Sequence, residues 1–290
     1  MTAPTLPTVP LGETPAEERP AAPRRVVYQR PALLDEKSTS YCPGCGHGVV
    51  HRLLAEVLGE LDLGRRTIAV APVGCSVFAY DYLRLDFVEA PHGRAPAVAT
   101  GIRRVKPDAF VLTYQGDGDL AAIGTAEIVH VAARGEAITG IFVNNGIYGM
   151  TGGQMAPTTL LGQKTTSTPL GRDARLAGFP IPITEMLALV PGTAYAARGT
   201  LADAGSIGKV KAMIRRACEV QLEGTGFAIV EILSNCPVGW GMDAPTSIAH
   251  LAEVAQTYPV GVILDRAKGI GVPAGPAATA SPVAGPAAEG

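Results

Sequence analysis

The chain has 290 residues, a formal net charge of −2 and 47% apolar residues. That length can bury one large core or two small ones, and the near-neutral balance gives no global pull toward nucleic acid or an anionic membrane surface. No apolar run approaches the roughly 20 residues that span a bilayer. The Pro-, Ala- and Thr-rich start, MTAPTLPTVPLGETPAEERPAAPRR, lacks the basic-then-apolar order of a secretory signal. The sequence therefore reads as cytoplasmic, with neither a membrane nor a nucleic-acid partner.

Residues 1–25 carry too little bulky apolar surface to fold and read as a disordered tail. The spacing predicts a helix over 48–61 (GVVHRLLAEVLGEL) and a buried strand over 67–73. A helix over 97–105, a strand over 109–114, a helix over 120–134 and a strand over 137–143 follow. Residues 144–182 are rich in Gly, Pro and Thr and have no period; a loop of that length beside a motif reads as functional. Helices near 183–190 and 204–222 alternate with strands near 193–197 and 226–233. The folded unit is expected over 26–265, and residues 266–290 form a Pro/Ala-rich tail of the same kind as the first. Short apolar strands separated by helices predict an α/β fold, a parallel sheet covered on both faces, whose ligands bind at the carboxyl ends of the strands.

Gly116-Asp117-Gly118-Asp119 stands between the predicted strand ending near Tyr114 and the helix starting near Leu120. Glycines let a phosphate approach the backbone, and a helix N-terminus offers free N–H groups. A carboxylate in such a place would repel a phosphate unless a cation intervened, so Asp117 implies Mg²⁺ or Ca²⁺. The next strand runs into Asn144-Asn145-Gly146-Ile147, where an amide oxygen is a neutral hard ligand for the same ion. A lone Gly-Asp turn is common in loops; the two motifs on successive strands, one helix apart, are specific.

Five cysteines is an odd number, and in a reducing compartment disulfides explain them poorly. Cys42 and Cys45 share a tight CPGC turn, Cys75 follows the strand over 67–73, and Cys236 follows the strand over 226–233. Four thiolates at loop positions could ligate zinc or a [4Fe–4S] cluster, and the residues by themselves leave the choice open. Cys218, in a helical stretch, is expected to be a buried inert thiol. His51 and His130 read as ordinary helix residues, His47 as structural, and Trp240 as a cluster shield or plain packing.

The motifs CPGCGH, VGCS, HGR, YQGDGD, NNGIYGMTGGQMAPTT and SNCP, in this order over about 40–240, resemble the beta, thiamine-diphosphate-binding subunits of 2-oxoacid:ferredoxin oxidoreductases, most like the 2-oxoisovalerate (branched-chain) type. The resemblance implies the thiamine-diphosphate-binding (pyrophosphate-type) fold. It implies a [4Fe–4S] cluster on Cys42, Cys45, Cys75 and Cys236, and Mg²⁺ on Asp117, Asn145 and the carbonyl of Ile147. Val73, Gly74, Cys75, Ser76, His92, Gly116, Gly118, Asp119, Gly149 and Met150 would line the thiamine diphosphate, with Thr151 a further diphosphate contact. The implied reaction is oxidative decarboxylation of a 2-oxoacid with coenzyme A, the electrons leaving through the cluster to ferredoxin. Only one thiamine-binding domain fits in this chain. The Glu that activates the cofactor is therefore expected from an alpha subunit, with gamma and ferredoxin-like delta subunits as further partners.

The segment Cys75-Ser76-Val77-Phe78-Ala79-Tyr80 is neutral and mostly apolar. A 2-oxoglutarate enzyme would be expected to place a base there for the distal carboxylate, so a branched or aromatic oxoacid is preferred over pyruvate or 2-oxoglutarate. A non-oxidative thiamine-dependent decarboxylase subunit would leave the four cysteines without a use. A zinc-stabilised or electron-transfer adaptor would leave the GDGD and NN motifs idle.

Overall fold

The computed structural model describes residues 26–271. The tail expected over 1–25, and 272–290 of the second tail, lie outside the described residues. The expected boundary at 265 falls too early: Arg266–Lys268 form a 3₁₀ turn, and Ile270 bridges back to Asp265. Residues 26–30 carry no helix or strand, and the architecture below is that of 31–271.

Nine strands occur among the described residues: β1 Thr67–Ala71, β2 Asp86–Glu89, β3 Phe110–Gly116, β4 Thr139–Asn144, β5 Ile147–Tyr148, β6 Gln154–Met155, β7 Thr193–Thr200, β8 Phe227–Leu233 and β9 Gly261–Asp265. Seven of them form one sheet in the order β2-β1-β3-β4-β8-β7-β9, and β5 and β6 make a separate hairpin. All neighbours in the large sheet are parallel except β7 and β9, which run antiparallel. The fold class expected from sequence is the one found, with an antiparallel edge added.

The helices are α1 His47–Glu60, α2 Ala79–Tyr82, α3 Ala95–Val105, α4 Thr125–Arg134, α5 Ala174–Ala177, α6 Ile183–Ala188, α7 Ala204–Leu222, α8 Pro237–Trp240 and α9 Ala244–Thr257. Side chains alternate across a strand, and β3 shows the consequence. Phe110, Leu112 and Tyr114 join one core with residues of α1, α7 and α9, while Val111 joins a second core with residues of α3, α4 and α6. The sheet is thus covered on both faces, and each fully buried Phe or Leu contributes about 1.5–3 kcal/mol of transfer free energy.

The helix predicted over 120–134 is interrupted. Asp119–Ile123 form a π turn, closed by Gly124 N–H donating to Asp119 O at 2.8 Å, and α4 begins only at Thr125. The interruption has a steric cause: a Cβ on Gly124 would lie 2.5 Å from Asp119 O and 2.8 Å from Gly93 O. The π turn makes room for the loop that follows β2. Such turns often occur at functional sites.

Candidate active site

The sheet order is also the order of the site. Along the adjacent strands β2, β1, β3, β4 and β8, the carboxyl ends release His92, the segment Val73–Ser76, Gly116–Asp119, Asn145–Ile147 and Cys236 in turn. The chain passes from β1 outward to β2 and then returns to β3 on the other side. β1 and β3 therefore flank the point where strand order reverses, the usual ligand crevice of an open α/β sheet.

One cleft opens there. It is lined by Val73, Gly74, Cys75, Ser76 and His92 from the β1–β2 side, and by Gly116, Asp117, Gly118 and Asp119 from β3. Asn145, Ile147, Gly149, Met150 and Thr151 complete it, together with two residues not expected there, His47 and Tyr148. Every cofactor and hard-cation residue proposed from sequence thus meets in one place. Cys42, Cys45 and Cys236 are not among the lining residues.

Asp117 is buried, and four groups converge on it. Gly118 N–H donates to Oδ1 at 2.7 Å; Ile147 N–H and Thr158 Oγ1 both donate to Oδ2 at 3.2 Å; and Gly146 contributes its amide. Burial pushes its carboxyl up to about 6 even against these bonds. A carboxylate so desolvated, with no cation bonded to it among the described residues, fits a divalent ion. Ser76 Oγ lines the same cleft, is buried and has no partner among the described residues; a ligand oxygen would satisfy it.

Asp119 points elsewhere. Its Oδ1 accepts from Gly93 N–H at 2.6 Å and faces His92 Nδ1 at 2.6 Å, and its Oδ2 accepts from Gln115 Nε2 at 2.6 Å. With Nδ1 engaged, Nε2 is the His92 nitrogen left for a ligand. Asp119 lines the cleft and also orients His92.

Two glycines also admit close approaches within the protein itself. A Cβ on Gly118 would sit 2.5 Å from the Tyr148 ring, so this glycine admits Tyr148. A Cβ on Gly93 would lie 2.7 Å from Gly124 N, so its close approach is to the π turn. Thr151, expected to touch a diphosphate, lines the cleft but also donates to Gln154 Oε1 at 2.5 Å.

The four motif cysteines are electrostatic neighbours. Burial raises Cys75, and lifts Cys45 to about 11 and Cys236 to about 12, each with at least one other motif thiol adding to the effect. Backbone amides of His47, Met150 and Gly239 are hydrogen-bonded to the sulfurs of Cys45, Cys75 and Cys236. A Cβ on Gly149 would lie 3.2 Å from Cys236 Sγ and 3.8 Å from Cys75 Sγ, so only glycine leaves that space open. No group of three or more His, Cys, Asp and Glu side chains among the described residues is placed to hold a metal ion as it stands. Cys218 is the buried thiol expected, on the core face of α7.

His47 starts α1 without capping it. Its ring stacks on Tyr41 at 4.8 Å, Nδ1 meets Tyr114 Oη at 2.7 Å, and burial lowers its pKa to about 4. His51 is more deeply placed than expected, buried beside Tyr41, Tyr82 and Tyr114, while His130 is exposed. Trp240 donates its indole N–H to Asn145 O at 2.9 Å, a role more specific than packing. Thr158, Tyr148 and Gln115 were not singled out from sequence. Gln115 alone carried a signal, a polar residue at the end of an apolar strand beside GDGD.

Residues 72–232 match the family described as thiamine pyrophosphate enzyme, C-terminal TPP binding domain. Ketoisovalerate oxidoreductase subunit VorA from Methanothermobacter thermautotrophicus is 46% identical over 241 residues, 83% of this chain and 50% of that protein. 2-Oxoglutarate synthase subunit KorB from Methanocaldococcus jannaschii is 38% identical over 202 residues, 69% of this chain and 70% of the relative. Among solved structures, 2-oxoglutarate:ferredoxin oxidoreductase from Magnetococcus marinus, with 2-oxoglutarate, coenzyme A and succinyl-CoA bound, aligns with a TM-score of 0.64 and 29% identity. It covers 76% of this chain and 71% of that one.

The chain belongs to the 2-oxoacid:ferredoxin oxidoreductase family, as a thiamine-diphosphate-binding beta-type subunit.

This beta-type subunit spans about half the length of the ketoisovalerate relatives, 50% in each case. Its cleft corresponds to the domain that the family model describes, because residues 72–232 contain every lining residue of the cleft except His47. No helix among the described residues is long and apolar enough to cross a membrane.

Proposed function

We propose that this chain, joined to a second polypeptide, performs the coenzyme A-dependent oxidative decarboxylation of a 2-oxoacid, with a branched-chain acid such as 2-oxoisovalerate preferred. Asp117, Asn145 and the Ile147 carbonyl would hold Mg²⁺. Val73–Ser76, His92, Gly116, Gly118, Asp119 and Gly149–Thr151 would hold thiamine diphosphate. Cys42, Cys45, Cys75 and Cys236 would hold a [4Fe–4S] cluster. When bound, thiamine diphosphate supplies an electron sink for decarboxylation, and the cluster supplies one-electron acceptance toward ferredoxin.

The observation that carries this reading is a shared wall. Cys75 and Gly149 line the cleft, and the Cβ position of Gly149 lies within 3.8 Å of two of the four motif sulfurs. A cofactor in the cleft and a cluster on the thiols would be separated by a glycine, which favours electron transfer over a purely structural metal. The amides aimed at three of the sulfurs support a cluster, since hydrogen bonds to sulfur tune such groups. A single zinc would need all four sulfurs within about 2.3 Å of one ion, and the described residues hold no group of three or more His, Cys, Asp or Glu side chains so placed.

The chain's own residues have separate tasks. Asp117 places negative charge where a cation can bridge it to a diphosphate. His92, fixed by Asp119, offers one ring nitrogen to the same anion. Ser76 offers a hydroxyl with no partner among the described residues. The Cys75–Phe78 turn carries no charged side chain, and a neutral turn suits a branched oxoacid better than a second carboxylate. The activating Glu would come from an alpha-type partner, with gamma- and delta-type subunits and ferredoxin completing the path; residence in the cytoplasm fits this chemistry.

The test is anaerobic purification of the native complex, with the visible absorbance recorded before and after 2-oxoisovalerate and coenzyme A. A brown protein that bleaches with this substrate is the expected result. Bleaching only with pyruvate or 2-oxoglutarate would retain the chemistry and discard the substrate. A colourless protein with zinc on the four cysteines would overturn the redox reading, and full turnover by this chain alone would remove the partner Glu.

A further inference from the structure

Behind the cleft lies a buried charged pair on two apolar strands. Arg198 on β7 is fully buried, and Glu231 on β8 is 1% exposed. Arg198 Nε donates to Glu231 Oε2 at 2.8 Å, and its other nitrogens donate to Glu185 at 2.5 and 2.6 Å. Thr184 Oγ1 gives a further bond to Glu231 Oε2 at 2.5 Å. A buried ion pair is weak evidence for stability, because its desolvation cost can exceed its attraction. What the pair touches is more telling.

Two arms leave it, and both end on the same oxygen. In the first, Glu231 Oε1 accepts from Asn144 Nδ2 at 2.7 Å. Asn144 Oδ1 then accepts from Gly146 N–H at 3.2 Å, and the next residue, Ile147, donates its N–H to Asp117 Oδ2. In the second, the Arg198 guanidinium lies 5.1 Å from the centre of the Tyr258 ring. Tyr258 Oη donates to Thr158 O at 2.9 Å, and Thr158 Oγ1 donates to Asp117 Oδ2. The arms arrive from different segments, the β4–β5 loop and the loop after β6. Together they fix one carboxylate oxygen, leaving Oδ1 with the amide of Gly118.

We propose that Arg198 and Glu231 are positioning residues for the Asp117 cation site, acting through Asn144 on one side and through Tyr258 and Thr158 on the other. The inference rests on the reading that Asp117 holds a divalent cation. Outer partners that orient ligating carboxylates alter metal affinity by about 10–100-fold when removed. Loosening either arm should therefore raise the cation concentration at half-saturation, and excess cation should recover the bound state. Loss of mere packing would lower thermal stability without that signature.

The experiment uses the assembled enzyme stripped of cofactor. Thiamine diphosphate binding is followed by calorimetry as Mg²⁺ is varied, for the wild type, Glu231→Gln, Tyr258→Phe, Thr158→Val and Thr158→Ser, with Ile214→Ala on α7 as a stability control. Glu231→Gln removes one of the two carboxylates paired with a buried guanidinium and risks misfolding; Tyr258→Phe and Thr158→Val are near-isosteric and keep the test open. The expected result is a half-saturating Mg²⁺ raised about tenfold or more in Tyr258→Phe and Thr158→Val. Thr158→Ser should stay close to the wild type, and Ile214→Ala should shift only the melting temperature. Unchanged Mg²⁺ dependence in both near-isosteric variants would overturn the inference while leaving the cation site in place. Wild-type binding of thiamine diphosphate that ignores divalent cations would instead overturn the reading on which it rests.

Discussion

Trp240 and Asn145 are joined by an indole N–H donated to a backbone carbonyl at 2.9 Å. The bond ties the short helix after Cys236 to the loop that carries Asn145 and Ile147, so the thiol region and the cation region share a strut. Trp240 is the single tryptophan of the chain, and its emission should report on that loop. Adding Mg²⁺ and thiamine diphosphate to the assembled enzyme should alter a fluorescence component that Trp240→Phe removes. Identical difference spectra for the two proteins would place the cofactor elsewhere. The substitution itself should cost about 0.5–1.5 kcal/mol, the net worth of one hydrogen bond.

Asp117 gives the fold a pH dependence that a bound cation should reverse. Burial is the leading cause of its rise from 3.8 to about 6. Below about pH 4 the carboxyl is protonated in both folded and unfolded chains and costs nothing. Between about pH 4 and 6 the unfolded chain releases its proton while the folded one retains it, so stability falls as pH rises. Above about pH 6 the whole cost is present, on the order of 3 kcal/mol for the cation-free protein. A divalent cation pairs with the ionised group and offsets that cost, whereas at low pH it must displace a proton. Mg²⁺ should therefore raise the melting temperature more near neutral pH than near about pH 5. An equal or larger increment in acid would show that Asp117 is not where the cation binds.

Gly149 lines the cleft beside the Cys236 and Cys75 sulfurs, and a single methyl there is informative. Its Cβ would stand 3.2 Å from Cys236 Sγ and 3.8 Å from Cys75 Sγ. That crowds the space a cluster would occupy. Gly149→Ala should lower the iron and sulfide content of the purified complex, and Cys42→Ser or Cys236→Ser should abolish it. Cys218→Ala should retain full iron content and lose about 1 kcal/mol of stability, since Cys218 is a buried core residue of α7. Iron loss in Cys218→Ala alone would reverse the assignment of the five thiols.

Much of the site was legible because glycines, acids, amides and cysteines stood at the ends of apolar runs. β3, β4 and β8 are buried along nearly their whole length, so their sequences are continuous and apolar and their ends are sharp. β2 escaped notice because it is a half-exposed edge, Asp86-Phe87-Val88-Glu89, with no run to detect. The antiparallel direction of β9 is a tertiary property with no local signature. α9 did carry one, since Asp243 caps it by accepting from Thr246 N–H at 2.8 Å, with a proline in the first turn. The π turn at Asp119–Ile123 was hidden because the apolar period continues through it, and its cause is the approach of Gly93, remote in sequence. Arg198 and Glu231 were visible as lone charges inside TAYAARGT and FAIVEIL; a charge in a buried strand needs a partner, and that need was the unused signal.

Arg172 shows how the long segment after β6 is held with little regular structure. The side chain is 5% exposed. Nη1 donates to Pro157 O at 2.9 Å and Thr159 O at 2.6 Å, Nη2 to Ala177 O at 3.1 Å and Phe179 O at 2.9 Å, and Nε to Gly178 O at 3.0 Å. One planar fork thus closes the segment on itself and encloses Thr158, which bonds Asp117. A lysine presents a compact ammonium and cannot reach both sets of carbonyls. Each buried carbonyl left unpaired costs about 1–3 kcal/mol, so Arg172→Lys should lose at least about 3 kcal/mol. It should also expose residues 156–179 to limited proteolysis and faster amide exchange. Because Thr158 would then be freed, the variant should need more Mg²⁺ to retain thiamine diphosphate. A protein with wild-type exchange rates over 156–179 would show that the carbonyl contacts are not what holds the segment.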